Sequence, residues 1–320
     1  MIVARTLSAI LMITGAVHVA YGERPSYDPA RLSFHVKFRD ESSAYRVLAV
    51  PVLPNETLRF QVVDETGGRA FTAEAETGDL ALTAPLSWEW VAPAEKGLHP
   101  VRIRTIGGEE TMTLNVFVTV PTGEVREGYL NGYRIGDYFW AKPWDKLIYR
   151  APPGLIEAAA GSETTHVSPH FTLGQFFCKQ SGGYPKYLIL RERLLRKLER
   201  ILEATNAAGY RCDTFAVLSG YRTPWYNRSI GNVKYSRHVW GGAADIYIDE
   251  SPNDGMMDDL NGDGAMDIHD AKVLYNIIDA LYRRPWWEPL VGGLGRYRKT
   301  SAHGPFVHVD ARGTRTRWGD

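Results

Sequence analysis

The stretch SRHVWGGAADIYI, residues 236–248, decides how the second half of this chain reads. From Ala243 to Ile248 its alternation is that of a strand. Ala243 and Asp245 share one face, and Ala244, Ile246 and Ile248 share the other. Gly241, Gly242 and Ala243 are small enough to let backbone and ligand approach closely. His238 stands just before the strand. Far downstream, FVHVD at 306–310 is a second apolar strand, with His308 and Asp310 on one face. Two neutral imidazoles and one carboxylate form a known ligand set for catalytic zinc, with the fourth position left to water. Each of the three alone is more often structural.

Working outward, Arg191 to Ala207 reads as a helix, with Leu194, Leu195, Leu198, Ile201 and Leu202 on one stripe and Gly209 ending it. TFAVLSGYRT at 214–223 is a buried strand running into a turn, and 271–283 is a second helix. This order predicts a compact α+β domain over 161–320. Residues 122–160 connect it to what precedes, and Asn131-Gly132 marks a hairpin between Tyr-rich arms. Upstream, TMTLNVFVTV at 111–120 alternates cleanly, LRFQV and VRIRT repeat the pattern, and ETGG and IGGEE supply turns. A β-sandwich of immunoglobulin-like type is the expectation for 23–121, acting as a spacer or binding module.

Three separated motifs agree on a family. Ser236-x-His238-x-x-Gly241-x-Ala243-x-Asp245, SGYRT at 219–223 and GPFVHVDARG at 304–313 resemble, in order, the pattern of zinc D-Ala-D-Ala carboxypeptidases and related murein endopeptidases (peptidase M15-like). The resemblance spans about Phe171 to Trp318. It implies zinc on His238, Asp245 and His308, and water-driven hydrolysis of peptide bonds in peptidoglycan stem peptides or cross-links. It places Arg222 at the substrate, holding a carboxylate or the developing oxyanion. Ser236, Tyr221 and Trp240 join Arg222 as candidate substrate contacts. Many members carry an acid three residues before the last ligand, where this chain has Pro305. Asp310 is then the first candidate base, an orienting role being the alternative. His303 is the reserve acid/base, and His166 and His170 read as structural.

DLNGDGAMDIHD, residues 259–270, follows the calcium-loop template. Asp259, Asn261, Asp263, Asp267 and Asp270 offer side chains, Ala265 its carbonyl, and Gly264 the sharp turn. Asp at the last position resembles dockerin-type loops. Dockerins carry two such loops and this chain has one, so cohesin docking is not supported. The expected calcium is structural.

The 320 residues suffice for about two domains, and 44% hydrophobic with 23% charged residues is ordinary globular composition. Acidic and basic side chains balance at 37 each, which argues against nucleic acid or an anionic membrane as the partner. MIVARTLSAILMITGAVHVAYG, residues 1–22, has the form of an export signal cut before Glu23, an uncleaved anchor being the alternative. Export would place the protein in the periplasm or cell envelope. Cys178 and Cys212 are the two cysteines; they either pair or stay as separate buried thiols. The leading expectation is an exported zinc peptidase. Its rivals are a non-catalytic, zinc-containing cell-wall binding protein and, more weakly, a calcium-dependent interaction protein. The sequence leaves the oligomeric state open.

Overall fold

Period-two alternation builds nine strands in the first part of the chain. They are β1 (Arg31–Phe38), β2 (Glu41–Tyr45), β3 (Val47–Val52), β4 (Thr57–Val63), β5 (Phe71–Ala75), β6 (Asp79–Ala84), β7 (Ser87–Val91), β8 (Gly97–Thr105) and β9 (Thr111–Val118). The computed structural model describes residues 26–138 and 149–319; the expected signal segment and 139–148 lie outside the described residues. One sheet runs β2-β1-β4-β7-β6 and the other β3-β9-β8-β5, with β3 parallel to β9. Met112, Leu114 and Val116 of β9 and Trp88 and Trp90 of β7 all point inward, so the aromatic pair is core.

The connecting region adds β10 (Val120–Pro121), β11 (Tyr129–Leu130), β12 (Tyr133–Arg134), β13 (Gly154–Ala158), β14 (His166–Ser168), β15 (Phe171–Thr172) and β16 (Lys186–Leu188). Asn131 and Gly132 both take positive φ, 48° and 78°, as a two-residue hairpin turn requires. They close the β11–β12 pair where the sequence places it.

The α+β part follows with α1 (Glu192–Ala207), β17 (Ala216–Ser219), α2 (Pro224–Ser229), β18 (Ala243–Tyr247), α3 (Ile268–Leu281), β19 (Gly293–Tyr297), β20 (Phe306–Asp310) and β21 (Thr316–Trp318). Its sheet runs β17-β18-β20-β19-β21. The leucine stripe of α1 is fully buried. Helix α3 begins three residues earlier than the periodicity suggests. Asp267 caps it, and Asp270 reaches back to the Asp267 amide at 2.8 Å, so the acidic loop itself starts the helix. Strand β19 gives no sequence signal because two of its three buried positions are glycines, Gly293 and Gly295, with Leu294 between them. Cys178 and Cys212 are both buried and free.

The two parts share one continuous apolar cluster. Charged contacts tie β2 to α1: Glu41 meets Arg193 at 2.8 Å and also pairs with Arg196, and the Tyr45 hydroxyl donates to Glu203 at 2.7 Å.

Candidate metal centre and its cleft

Three neighbouring strands supply a row of side chains. Ser219 of β17 lies opposite Asp245 of β18, which lies opposite His308 of β20. His238 comes from the 3-10 turn Arg237–Trp240 just before β18. That turn closes through Gly241 at φ 62°, where a Cβ would fall 2.3 Å from the Ile189 carbonyl oxygen. Only glycine meets both demands. Arg191, at the head of α1, donates from Nε to the Trp240 carbonyl at 2.8 Å and from its amide to the Gly241 carbonyl at 3.1 Å. The turn is therefore anchored to the longest helix.

His308 Nδ1 lies 2.7 Å from Asp245 Oδ1, and His238 Nε2 lies 3.2 Å from His308 Nδ1 and 3.3 Å from Asp245 Oδ1. Among the described residues, these three form the group of histidine and carboxylate side chains whose ligand atoms gather within 4.8 Å. Zinc bonds of about 2.0–2.1 Å in a tetrahedron hold ligand atoms roughly 3.3 Å apart, which the two distances from His238 match, while His308 and Asp245 stand at hydrogen-bond distance. Each imidazole is also oriented from behind. His238 Nδ1 donates to the Gly220 carbonyl at 2.7 Å, leaving Nε2 as the lone pair that faces the trio. His308 Nε2 faces Asp310 Oδ2 at 3.3 Å, leaving Nδ1 for the centre.

Burial depresses the His238 pKa, and the nearby Arg222 adds to the effect, favouring the neutral, ligating form. Burial alone would raise Asp245, but His238 and His308 outweigh it and hold the carboxyl well below its usual range. For His308 burial pulls down, yet the bonds to Asp245 and Asp310 prevail and its pKa is raised. Taking up a cation there means releasing that proton.

Arg222 is fixed twice: Nη2 donates to Asp245 Oδ2 at 2.8 Å and Nε to Ser219 Oγ at 2.8 Å. It lines a cleft of about 450 Å³ with His238, Asp245 and His308, and with Ser236, Arg237, Tyr297, Arg312 and Trp318. Burial pulls the Arg237 guanidinium down to about 10, helped by Arg191.

Several expected site residues stand elsewhere. Asp310, the first candidate base, is fully buried and not on the cleft wall. Its Oδ1 accepts from the Gly293 and Arg312 amides at 2.9 and 3.0 Å, and Oδ2 from Arg312 Nη2 at 2.6 Å. Both oxygens thus carry bonds, and Oδ2 also faces His308 Nε2 at 3.3 Å. His303 turns Nδ1 to the Gly304 carbonyl at 2.7 Å, and its ring packs edge-on against Phe306, which lines the cleft, without lining the cleft itself. Tyr221 and Trp240, expected at the substrate, are core residues. The Tyr221 hydroxyl is bonded to that of Tyr138 at 2.7 Å, and Trp240 is 1% exposed. Ser236 does reach the cleft. Arg312 and Trp318 went unnoticed, although period two from His308 through Asp310 points to Arg312.

The acidic loop closes on its own amides. Asp259 accepts from Gly262, Asp263 and Gly264, Asp263 Oδ1 from Ala265, and Asp270 Oδ1 from Leu260 and Asn261. Asn261 Nδ2 donates to Asp263 Oδ2 at 2.8 Å, and Asp267 is spent as the cap of α3.

Comparison of the chain with curated proteins finds no match. A model of the family Peptidase M15 matches residues 169–267, a span that contains α1, the SGYR turn, His238 and Asp245 and ends before His308, so this part of the chain is similar to that family.

Proposed function

We propose that the protein is an exported zinc metallopeptidase that hydrolyses peptide bonds in peptidoglycan stem peptides or cross-links. The observation that carries this reading is the trio His238, Asp245 and His308, gathered closely enough to share one ion, the first two within the span that the Peptidase M15 model matches. Zinc, when bound, supplies a Lewis acid and lowers the pKa of water to about 7. The chain's own residues then bind and orient. Arg222, clamped on Asp245 and Ser219, presents its remaining N–H groups to a substrate carboxylate or to the carbonyl oxygen as it gains negative charge. Asp310, held by Arg312, keeps the His308 ring in the ligating tautomer. Three guanidiniums line the cleft against one carboxylate, which suits a peptide bearing free carboxyl groups.

The apolar leader at 1–22 supports export, and no described helix is long and apolar enough to cross a membrane. The sheet orders β1-β4-β7-β6 and β9-β8-β5 support an immunoglobulin-like arrangement of the first part.

A second reading, a non-catalytic cell-wall binding protein, is favoured by one fact. Among the described residues, the cleft offers no carboxylate besides the ligand Asp245. Incubating protein of measured zinc content with purified muropeptides separates the two. Cleavage products are expected, lost on chelation and restored by zinc. Intact muropeptides with zinc-loaded protein overturn the peptidase reading and leave the binding one.

A further inference from the structure

Trp318 ends the last strand, and the chain makes unusual room for it. In the parallel pairing of β19 with β21, Gly293 and Gly295 lie under the indole. A Cβ on Gly295 would meet Trp318 Nε1 at 2.4 Å, and one on Gly293 would meet its Cη2 at 2.6 Å. The ring therefore lies directly on the β19 backbone, a placement any other residue at 293 or 295 would disturb. Its orientation is fixed as well, because Nε1 donates to the Tyr297 hydroxyl at 2.6 Å. Tyr297 in turn is stacked on Phe306, with centroids 4.6 Å apart and planes 11° from parallel.

The held indole faces the metal centre. Its ring lies 5.1 Å from that of His308, and the Arg312 guanidinium carbon lies 5.2 Å from its centroid. His308 is bonded at Nδ1 to Asp245 and at Nε2 to Asp310, through ring nitrogens whose bonding direction lies in the imidazole plane. In-plane bonds resist sliding far better than tipping out of the plane. The indole, tilted 49° to the imidazole, is an aromatic neighbour placed to supply that restraint.

We propose that Trp318 is a positioning residue for His308, completing the metal centre from the last strand of the sheet. The proposal rests on the reading of His238, Asp245 and His308 as zinc ligands. It does not depend on peptide cleavage.

The test is zinc affinity, measured by competition with a chromophoric chelator, for wild type, Trp318→Ala, Trp318→Leu and Trp318→Phe. Loss of an orienting partner weakens metal binding by about 10- to 100-fold. The alanine and leucine variants are expected to lose at least about tenfold. The phenylalanine variant, which restores a flat ring, should stay within about threefold of wild type. Leucine retains apolar bulk, so it decides the matter if the alanine variant fails to fold. Wild-type affinity in the leucine variant, or a phenylalanine variant as weak as leucine, overturns the proposal. A wild-type protein that takes up no zinc instead sinks the zinc reading itself. Zinc binding without muropeptide cleavage removes only the peptidase reading.

Discussion

At the scale of single residues, the site turns on which lone pairs are already occupied. Asp310 and Asp245 are both buried carboxylates in adjacent strands, yet they do different work. Asp245 points Oδ1 at the two histidines, while Asp310 spends its oxygens on Arg312, two amides and His308 Nε2. Burial would push the Asp310 carboxyl up, but His308 and Arg312 hold it well below its usual range, so it stays a charged acceptor. Asp310→Asn keeps the shape and removes the charge. Zinc affinity should then fall about 10- to 100-fold, as for other partners that orient a ligating histidine. Activity should return at saturating zinc. An Asp310→Asn protein with wild-type zinc affinity but depressed turnover would instead restore the base role. Sequence placed Asp310 on the face of His308 correctly but left its role open. The choice depends on Arg312 and the Gly293 amide, one beyond the strand and the other on a neighbour that periodicity does not reveal.

At the scale of elements, the 3-10 turn Arg237–Trp240 is the joint between helix α1 and the trio His238, Asp245 and His308. Gly241→Ala forces a Cβ into left-handed backbone, costing about 1–2 kcal/mol, and against the Ile189 carbonyl as well. We expect a total loss of about 2 kcal/mol or more in chemical denaturation, with weaker zinc binding because His238 shifts with the turn. Unchanged stability would mean that the turn can open without cost. The elements around this joint were legible because their signals are local: an apolar stripe for α1, period two for β18 and β20, and Asn-Gly for the β11–β12 hairpin. Strands β19 and β21 were not. Their pairing is parallel and separated in sequence by β20, and β19 trades side chains for the space that Trp318 fills. Tyr221 and Trp240 were misjudged for a related reason, since an aromatic beside a motif looks the same in sequence whether it faces the cleft or the core.

At the scale of the whole molecule, the first part of the chain is fastened to the α+β part rather than strung from it. His170, beside β14, is the clearest fastener. Its Nδ1 donates to the fully buried Glu199 of α1 at 2.7 Å, and its Nε2 to the carbonyl of Asp28, just before β1, at 3.0 Å. Tyr27 stacks on the same imidazole at 5.0 Å. Two acceptors require both ring nitrogens to carry protons. Burial opposes that charge, but Glu199 outweighs it and the His170 pKa is raised. A raised folded value fixes the sign: the imidazolium pair contributes fully below the unfolded pKa of about 6.5 and fades as pH climbs through the higher folded value. His170→Ala should therefore destabilise most in mild acid, by about 1.5–3 kcal/mol, the scale of hydrogen bonds to a charged group. The gap in melting temperature between wild type and variant should narrow steadily above neutral pH. A gap that stays constant from pH 5 to 9 would show that the contact is held by packing alone. The same scan tests the fastening itself, because a tethered spacer would melt separately, whereas one shared apolar cluster predicts a single transition for both parts.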